Sequence, residues 1–279
     1  MGRVAAIQMT SSHIVADNLA AAGDLLREAK GTGADIACLP ENFSFIGLRD
    51  ADKLQVAEPD GEGAVQRFLS ETAQKLKMWI LGGTIVIRGD SDGRVTNSSL
   101  LIDADGRRVA RYDKIHLFDV TIPGRDEQYR ESTHVAAGRE PVIADTPVGK
   151  LGLSVCYDMR FPELYRELVS LGAEWLAMPA AFTVPTGRAH WETLLRARAI
   201  ENLCYVVAPA QSGTHTSGRE TYGDSLIVDY WGQVLSRLAK GNGVITAEID
   251  LAKQAETRAR FPALDNRQLG IPNVASVLT

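Results

Sequence analysis

The chain of 279 residues has a net charge of −5, with 45% hydrophobic and 23% charged residues. That balance is typical of a globular protein with a sizeable α/β core and excludes a disordered chain. The acidic charge argues against a nucleic-acid partner, and no apolar run is long enough to cross a bilayer as a helix. The first residues, MGRVAAIQMTSS, lack the charged, apolar and small-residue succession of a secretory signal. Cys38, Cys156 and Cys204 are odd in number and far apart, which points to free thiols in a reducing compartment. A cytoplasmic protein is therefore expected. Neither the cysteines nor the histidines have metal-ligand spacing, so no metal and no cofactor is expected.

In chain order, Arg3 to Met9 reads as a strand and Asp17 to Lys30 as a helix with Leu19, Ala22, Leu26 and Ala29 on one face. Ala34 to Leu39 reads as a buried strand ending at Pro40-Glu41, and Gly63 to Lys77 as a helix. Trp79 to Arg88, Val95 to Asp103 and Arg107 to Asp113 read as strands joined by Ser-Asp-Gly and Ala-Asp-Gly turns. His116 to Gly149, rich in Pro, Gly and charge, reads as surface loops. The second half repeats the alternation: a strand Leu151 to Val155, a helix opening at Pro162, a strand Glu174 to Met178, a helix Arg188 to Asn202 and a strand Leu203 to Pro209. Strands Tyr222 to Asp229, Gln233 to Leu238 and Val244 to Ile249 follow, the first two joined by a Tyr-Trp-Gly turn. No composition break marks a linker, so residues 1–279 read as one domain. The two similar halves suggest an approximate internal two-fold, with two sheets face to face and helices outside.

Cys156 stands where an apolar strand gives way to a polar turn and then to a helix with Pro162 in its first turn. Such a corner holds a nucleophile rigidly, with backbone N–H groups near it. A buried structural thiol fits the same corner, and Cys38 and Cys204, inside apolar runs, read as packed thiols. Glu41 and Lys114 also follow strands, and side chains at the carboxyl ends of neighbouring strands can converge. A carboxylate could take the thiol proton and an ammonium could steady the developing charge. Taken singly, Glu41 fits a cap or turn and Lys114 a solvated charge, and spacing leaves both open. His116 and His190 read as hydrogen-bonded structural residues.

LPENF, YDKIHLFD and VCYDMRFPELYRELVSLGAE together resemble, in order, the three signature segments of the nitrilase superfamily of carbon–nitrogen hydrolases. The resemblance implies an α/β fold of the four-layer αββα sandwich type. It also implies a triad of Glu41 as general base, Lys114 as oxyanion stabiliser and Cys156 as nucleophile, with Glu131 orienting Lys114. The segment FTVPTGRAHWETLLRARAIENLCYVVAPAQSG is similar to the Nit branch of amidases. By that resemblance Arg160, Phe182 and Thr186 line the pocket beside Tyr157, whose N–H would face the oxyanion. Arg160 would clamp a carboxylate, a structural ion pair with Asp158 or Glu163 being the other reading. The implied activity is Cys-dependent hydrolysis of a 2-oxo acid amide, with deaminated glutathione first, 2-oxoglutaramate second, and N-carbamoyl compounds as a further alternative. The implied partners are a small-molecule amide and further copies of the chain, in a dimer or larger homo-oligomer, with no nucleic acid and no membrane.

Overall fold

The computed structural model describes residues 1–89, 93–124 and 127–269. Ser91 and Asp92 of the expected Ser-Asp-Gly turn, and two residues of the expected loop region, lie outside them.

Two sheets dominate. In the first the strands run in the order Gly243–Ile249, Gly2–Gln8, Ile36–Cys38, Trp79–Leu81, Val95–Ile102 and Ile85–Arg88, and Arg108–Asp113 also pairs with Val95–Ile102. In the second the order is Val234–Leu238, Ser225–Val228, Tyr205–Ala208, Trp175–Ala177, Gly149–Leu153 and Ile143–Thr146. Each sheet is built around three parallel strands: those beginning at Gly2, Ile36 and Trp79 in one, and at Gly149, Trp175 and Tyr205 in the other. Helices Val15–Gly31 and Ala64–Leu76 connect the first set, Pro162–Ser170 and Val184–Asn202 the second.

The alternation of side chains along a strand decides the layering. Val4, Ala6, Ile36, Cys38, Leu81 and Leu101 pack into one core with Leu151, Leu153, Leu176 and Val206 of the other sheet. The intervening residues, Ala5, Ile7, Ala37, Leu39 and Ile80, pack instead with Ala22, Leu26, Leu69 and Ala73 of the first two helices. Leu164, Leu168, Trp191 and Leu195 cover the outer side of the second sheet. Both faces of these strands are covered, which explains why they read as continuous apolar runs. The result is the four-layer αββα sandwich.

Several expectations are corrected. Trp79 to Arg88 is two strands, because Gly82 and Gly83 break the ladder. At Gly83 φ is +49° and a Cβ would lie 2.0 Å from the Pro40 carbonyl oxygen, so glycine is needed for the close approach that shapes the segment before Glu41. Residues 116–149 are not all loop: Asp119–Thr121 pairs with Gln128–Arg130, and Ile143–Thr146 joins the second sheet. The helix expected from Arg188 begins at Val184, with Pro185 in its first turn. Helix Leu251–Arg260 and the hairpin Ser212–Thr214/Glu220–Tyr222 were not expected.

Candidate active site

Glu41, Lys114 and Cys156 each follow a strand, the first two in one sheet and the third in the other, and all three line a single pocket of about 570 Å³ open to solvent. At Cys156 the chain leaves the Gly149–Leu153 strand and turns into a short 3-10 helix, Cys156–Arg160, with φ +48° at the cysteine. A left-handed non-glycine residue is strained, of order 1–2 kcal/mol, and persists only where its surroundings over-determine it. Here Asp158 supplies the constraint: its buried carboxylate accepts from Val155 N at 2.8 Å, Tyr112 OH at 2.7 Å and His116 N at 3.0 Å. Cys156 N donates to Pro179 O at 2.9 Å, whereas the next amide, Tyr157 N–H, has no acceptor among the described residues.

Lys114 is almost fully buried, and its Nζ donates to Glu41 Oε1 at 2.9 Å and Glu131 Oε2 at 2.8 Å. An ammonium has three N–H bonds; the third has no acceptor among the described residues, on a side chain that lines the pocket. Glu41 Oε1 also accepts from Asn97 Nδ2 at 3.2 Å, and Oε2 from Ala181 N at 2.9 Å. Glu131 Oε2 accepts from Phe118 N at 2.8 Å. Gly138 allows the lysine's backbone to sit as it does: Gly138 N donates to Lys114 O at 2.9 Å, and a Cβ there would meet Asp113 O at 2.0 Å.

The electrostatics follow from this packing. Burial disfavours the charged form of Lys114, but the facing Glu131 and Glu41 carboxylates outweigh it and hold the pKa well above the usual lysine value. Burial pushes Glu131 up, yet Lys114 and the more distant Lys53 bring it below its ordinary value. For Cys156, burial and the Glu41 charge push the thiol well above its usual range, against the opposing pull of Lys114 and the Ala181 amide. Burial and the Glu41 charge thus favour the thiol form of Cys156, and the two facing carboxylates favour the ammonium form of Lys114. Such a trio can pass the thiol proton to the carboxylate as sulfur attacks, and it has two free N–H groups, on Lys114 and Tyr157, for a developing oxyanion.

The remaining sequence-nominated residues are less uniform. Tyr157, Phe182, Thr186 and Glu131 line the pocket; Phe182 packs on Trp191 with ring centroids 4.9 Å apart, and Thr186 Oγ1 lies 2.8 Å from Thr183 Oγ1. Arg160 does not line it. Its guanidinium lies 5.8 Å from the Tyr157 ring centre and 5.5 Å from that of Phe182, and donates to His190 Nδ1 at 3.3 Å. Neither Asp158 nor Glu163 pairs with it, so the ion-pair reading fails and the charge is left at the pocket's edge without a carboxylate among the described residues. His116 is hydrogen-bonded to Asp158 at 2.8 Å and stacked on Phe161 at 3.7 Å, and His190 has Arg160 beside it. Cys38 and Cys204 are packed thiols, the latter pushed up to about 12 by burial despite Arg258.

Asp158 and Asn97 were missed. The available signal was polarity: Asp158 is an acid between Tyr157 and Met159 directly after the strand-end cysteine, and Asn97 opens a polar Asn-Ser-Ser run inside a buried strand. Lys53 and Arg219, which also line the pocket, carried no such signal.

Residues 3–259 match the family model described as carbon-nitrogen hydrolase. The chain belongs to the carbon–nitrogen hydrolase family. This hydrolase is 43% identical over 267 residues to a deaminated glutathione amidase of Synechocystis sp., covering 94% of this chain and 97% of the relative. It is 41% identical over 268 residues to the human protein of that name, covering 95% of this chain and 82% of the other. Among solved structures the hydrolase superposes on the Caenorhabditis elegans NitFhit protein with a TM-score of 0.89 at 42% identity, covering 96% of this chain and 66% of that longer one. It superposes on Saccharomyces cerevisiae Nit3, a member of branch 10 of the nitrilase superfamily, with a TM-score of 0.86 at 29% identity over 97% of both chains.

Proposed function

We propose that this carbon–nitrogen hydrolase is an amidase that cleaves deaminated glutathione to 2-oxoglutarate and cysteinylglycine through a thioester on Cys156. The observation that carries the reading is Lys114 Nζ bridging Glu41 and Glu131 at 2.9 and 2.8 Å inside the pocket that Cys156 also lines. The names of the relatives at about 40% identity support the choice of substrate.

In the proposed course the Cys156 thiol gives its proton to Glu41 as sulfur bonds to the amide carbon. Lys114 and Tyr157 N–H hold the resulting oxyanion, each such donor being worth about 3 kcal/mol in a water-poor site. The C–N bond then breaks, and Glu41 hands the proton to the departing amine. Glu41 next takes a proton from water, whose oxygen attacks the thioester, and the thiol is restored as the acid leaves. Glu131 holds Lys114 in place. Phe182 and Thr186 form the wall on which the acyl chain rests, with Arg160 taking its carboxylate at the edge.

A mass-spectrometric panel of 2-oxo acid amides tests this. Release of cysteinylglycine, with an acyl adduct on Cys156 in quenched samples, is the expected result. A kcat/KM for 2-oxoglutaramate equal to or above that for deaminated glutathione would move the assignment to an omega-amidase, and turnover of N-carbamoyl compounds alone would discard both. The same proposal includes a cytoplasmic homo-oligomer. Exposed Trp231 and Phe261 pack edge to face at 5.6 Å, and exposed Ile200 lies against the adjoining Gly232, as an apolar patch suited to a second copy. A monomeric mass by sedimentation would remove that part.

A further inference from the structure

We infer that Arg219 and Lys53 form a carboxylate site for the leaving-group side of the substrate, separate from the acyl-side clamp at Arg160; this rests on the amidase reading above. Asn42, Asp50, Lys53 and Arg219 line the Cys156 pocket and also the groove that continues from it past Phe45 and Ser217. Tyr157, Phe182 and Thr186 border the pocket and not that groove. An amide whose carbonyl carbon lies at Cys156 therefore has two directions to run, one toward the Tyr157–Phe182 rings under Arg160, the other into the groove.

The groove is equipped for an anion. Arg219 is half-buried on the turn of the Ser212–Thr214/Glu220–Tyr222 hairpin, with its guanidinium 5.4 Å from the Tyr129 ring centre. Nη2 donates to Ala181 O at 3.1 Å, whereas Nε is buried without a partner and Nη1 has none among the described residues. The turn is fixed from behind: His215 N donates to Arg219 O at 2.9 Å, and the His215 ring bonds Ser11 O and Thr221 Oγ1, each at 2.8 Å. Lys53, on the 3-10 helix Asp50–Gln55, has no ion pair among the described residues, yet its charge reaches Glu131. Asp50, which is exposed, is the one carboxylate shared by pocket and groove among the described residues, against the two cations Lys53 and Arg219. A planar, half-buried guanidinium with open donors suits a carboxylate fork. In cysteinylglycine the terminal carboxylate lies about two residues, roughly 7 Å, from the scissile nitrogen, a reach that carries it from the pocket into the groove. A leaving group of ammonia cannot use this site, so Arg219 and Lys53 become the residues that favour a peptide amide over a primary amide.

The test compares deaminated glutathione with the analogue in which only its glycine carboxylate is replaced by a carboxamide. Wild-type enzyme should prefer the acid by roughly 10- to 100-fold in kcat/KM, the range of a charged hydrogen-bonded contact. Arg219→Gln should bring that ratio close to one whatever it does to turnover in general, Arg219→Lys should keep part of it, and Lys53→Gln should lower it less. Because the ratio cancels any general loss from the Ala181 contact, a merely structural role for Arg219 would leave it unchanged and so overturn the inference. A wild-type ratio near one with brisk release of cysteinylglycine would overturn the site and leave the amidase reading standing. Turnover of neither compound would sink the amidase reading, and this site with it.

Discussion

The reacting groups differ in how firmly they are held. Glu41 has four polar neighbours: Lys114, Asn97, the Ala181 amide and the thiol. Two opposed effects of Glu41 on the thiol follow. In the proposed mechanism it is the base that makes attack possible, and as a like charge it opposes the thiolate. Glu41→Gln should therefore reduce turnover by at least about 1000-fold, as expected for lost proton transfer compounded with a displaced lysine, and at the same time lower the pKa of Cys156. Burial still raises that pKa, but Lys114 would then act on it without a counterweight. Thiolate absorbance near 240 nm across a pH series reads the second effect. A thiol that titrates at unchanged or higher pH in the variant would show that the carboxylate does not act on the sulfur.

At the scale of elements, the Cys156 corner depends on Asp158, which ties the 3-10 helix Cys156–Arg160 to the end of strand Arg108–Asp113 through Tyr112 and His116. Asp158→Ala strands several buried donors at once and should cost about 3 kcal/mol or more of unfolding free energy, seen in urea denaturation. It should also lower kcat more than KM, because the loosened corner carries the sulfur and the Tyr157 amide; a full kcat would show the corner to be held by other means. Strands such as Ile36–Cys38 were legible in the sequence because both their faces are buried and their residues are continuously apolar. That Glu41, Lys114 and Cys156 each follow a strand was legible too, but their meeting was not: Ile36–Cys38 and Arg108–Asp113 are not adjacent in the first sheet, and Gly149–Leu153 belongs to the second, so the site forms across the two sheets and not along neighbouring strands. Helix Leu251–Arg260 was not legible, since its one buried residue is Gln254, which is anchored by hydrogen bonds to Glu174 O and Leu203 O in place of an apolar stripe. Arg219 was hidden differently: TSGRET reads as a polar turn, and only the fold brings that turn over Tyr129.

Across the whole molecule, acid should act in two stages. Burial lowers the pKa of His215 from 6.5, so the unfolded chain takes up its proton before the folded one does. Stability from this group is complete above about pH 6.5 and is lost as pH falls through the lower folded value. Asp60, held below 3.8 chiefly by Arg108, and Glu131, held below 4.5 by Lys114 against burial, follow the same rule at lower pH. Urea midpoints at stepped pH should fall first as pH drops below about 6.5, and His215→Gln should flatten that step while leaving the later one; an equal slope in the variant would exonerate the histidine. The placement of the site has a further outcome. Glu41 and Lys114 come from the sheet assembled mainly from the first 113 residues, Cys156 and Ala181 from its counterpart. A chain severed after Arg139, in an exposed stretch between the two, should give two fragments that are each inert. Co-expressed, they should regain hydrolysis in proportion to the complex formed, so that catalysis itself reports the docking of one half against the other.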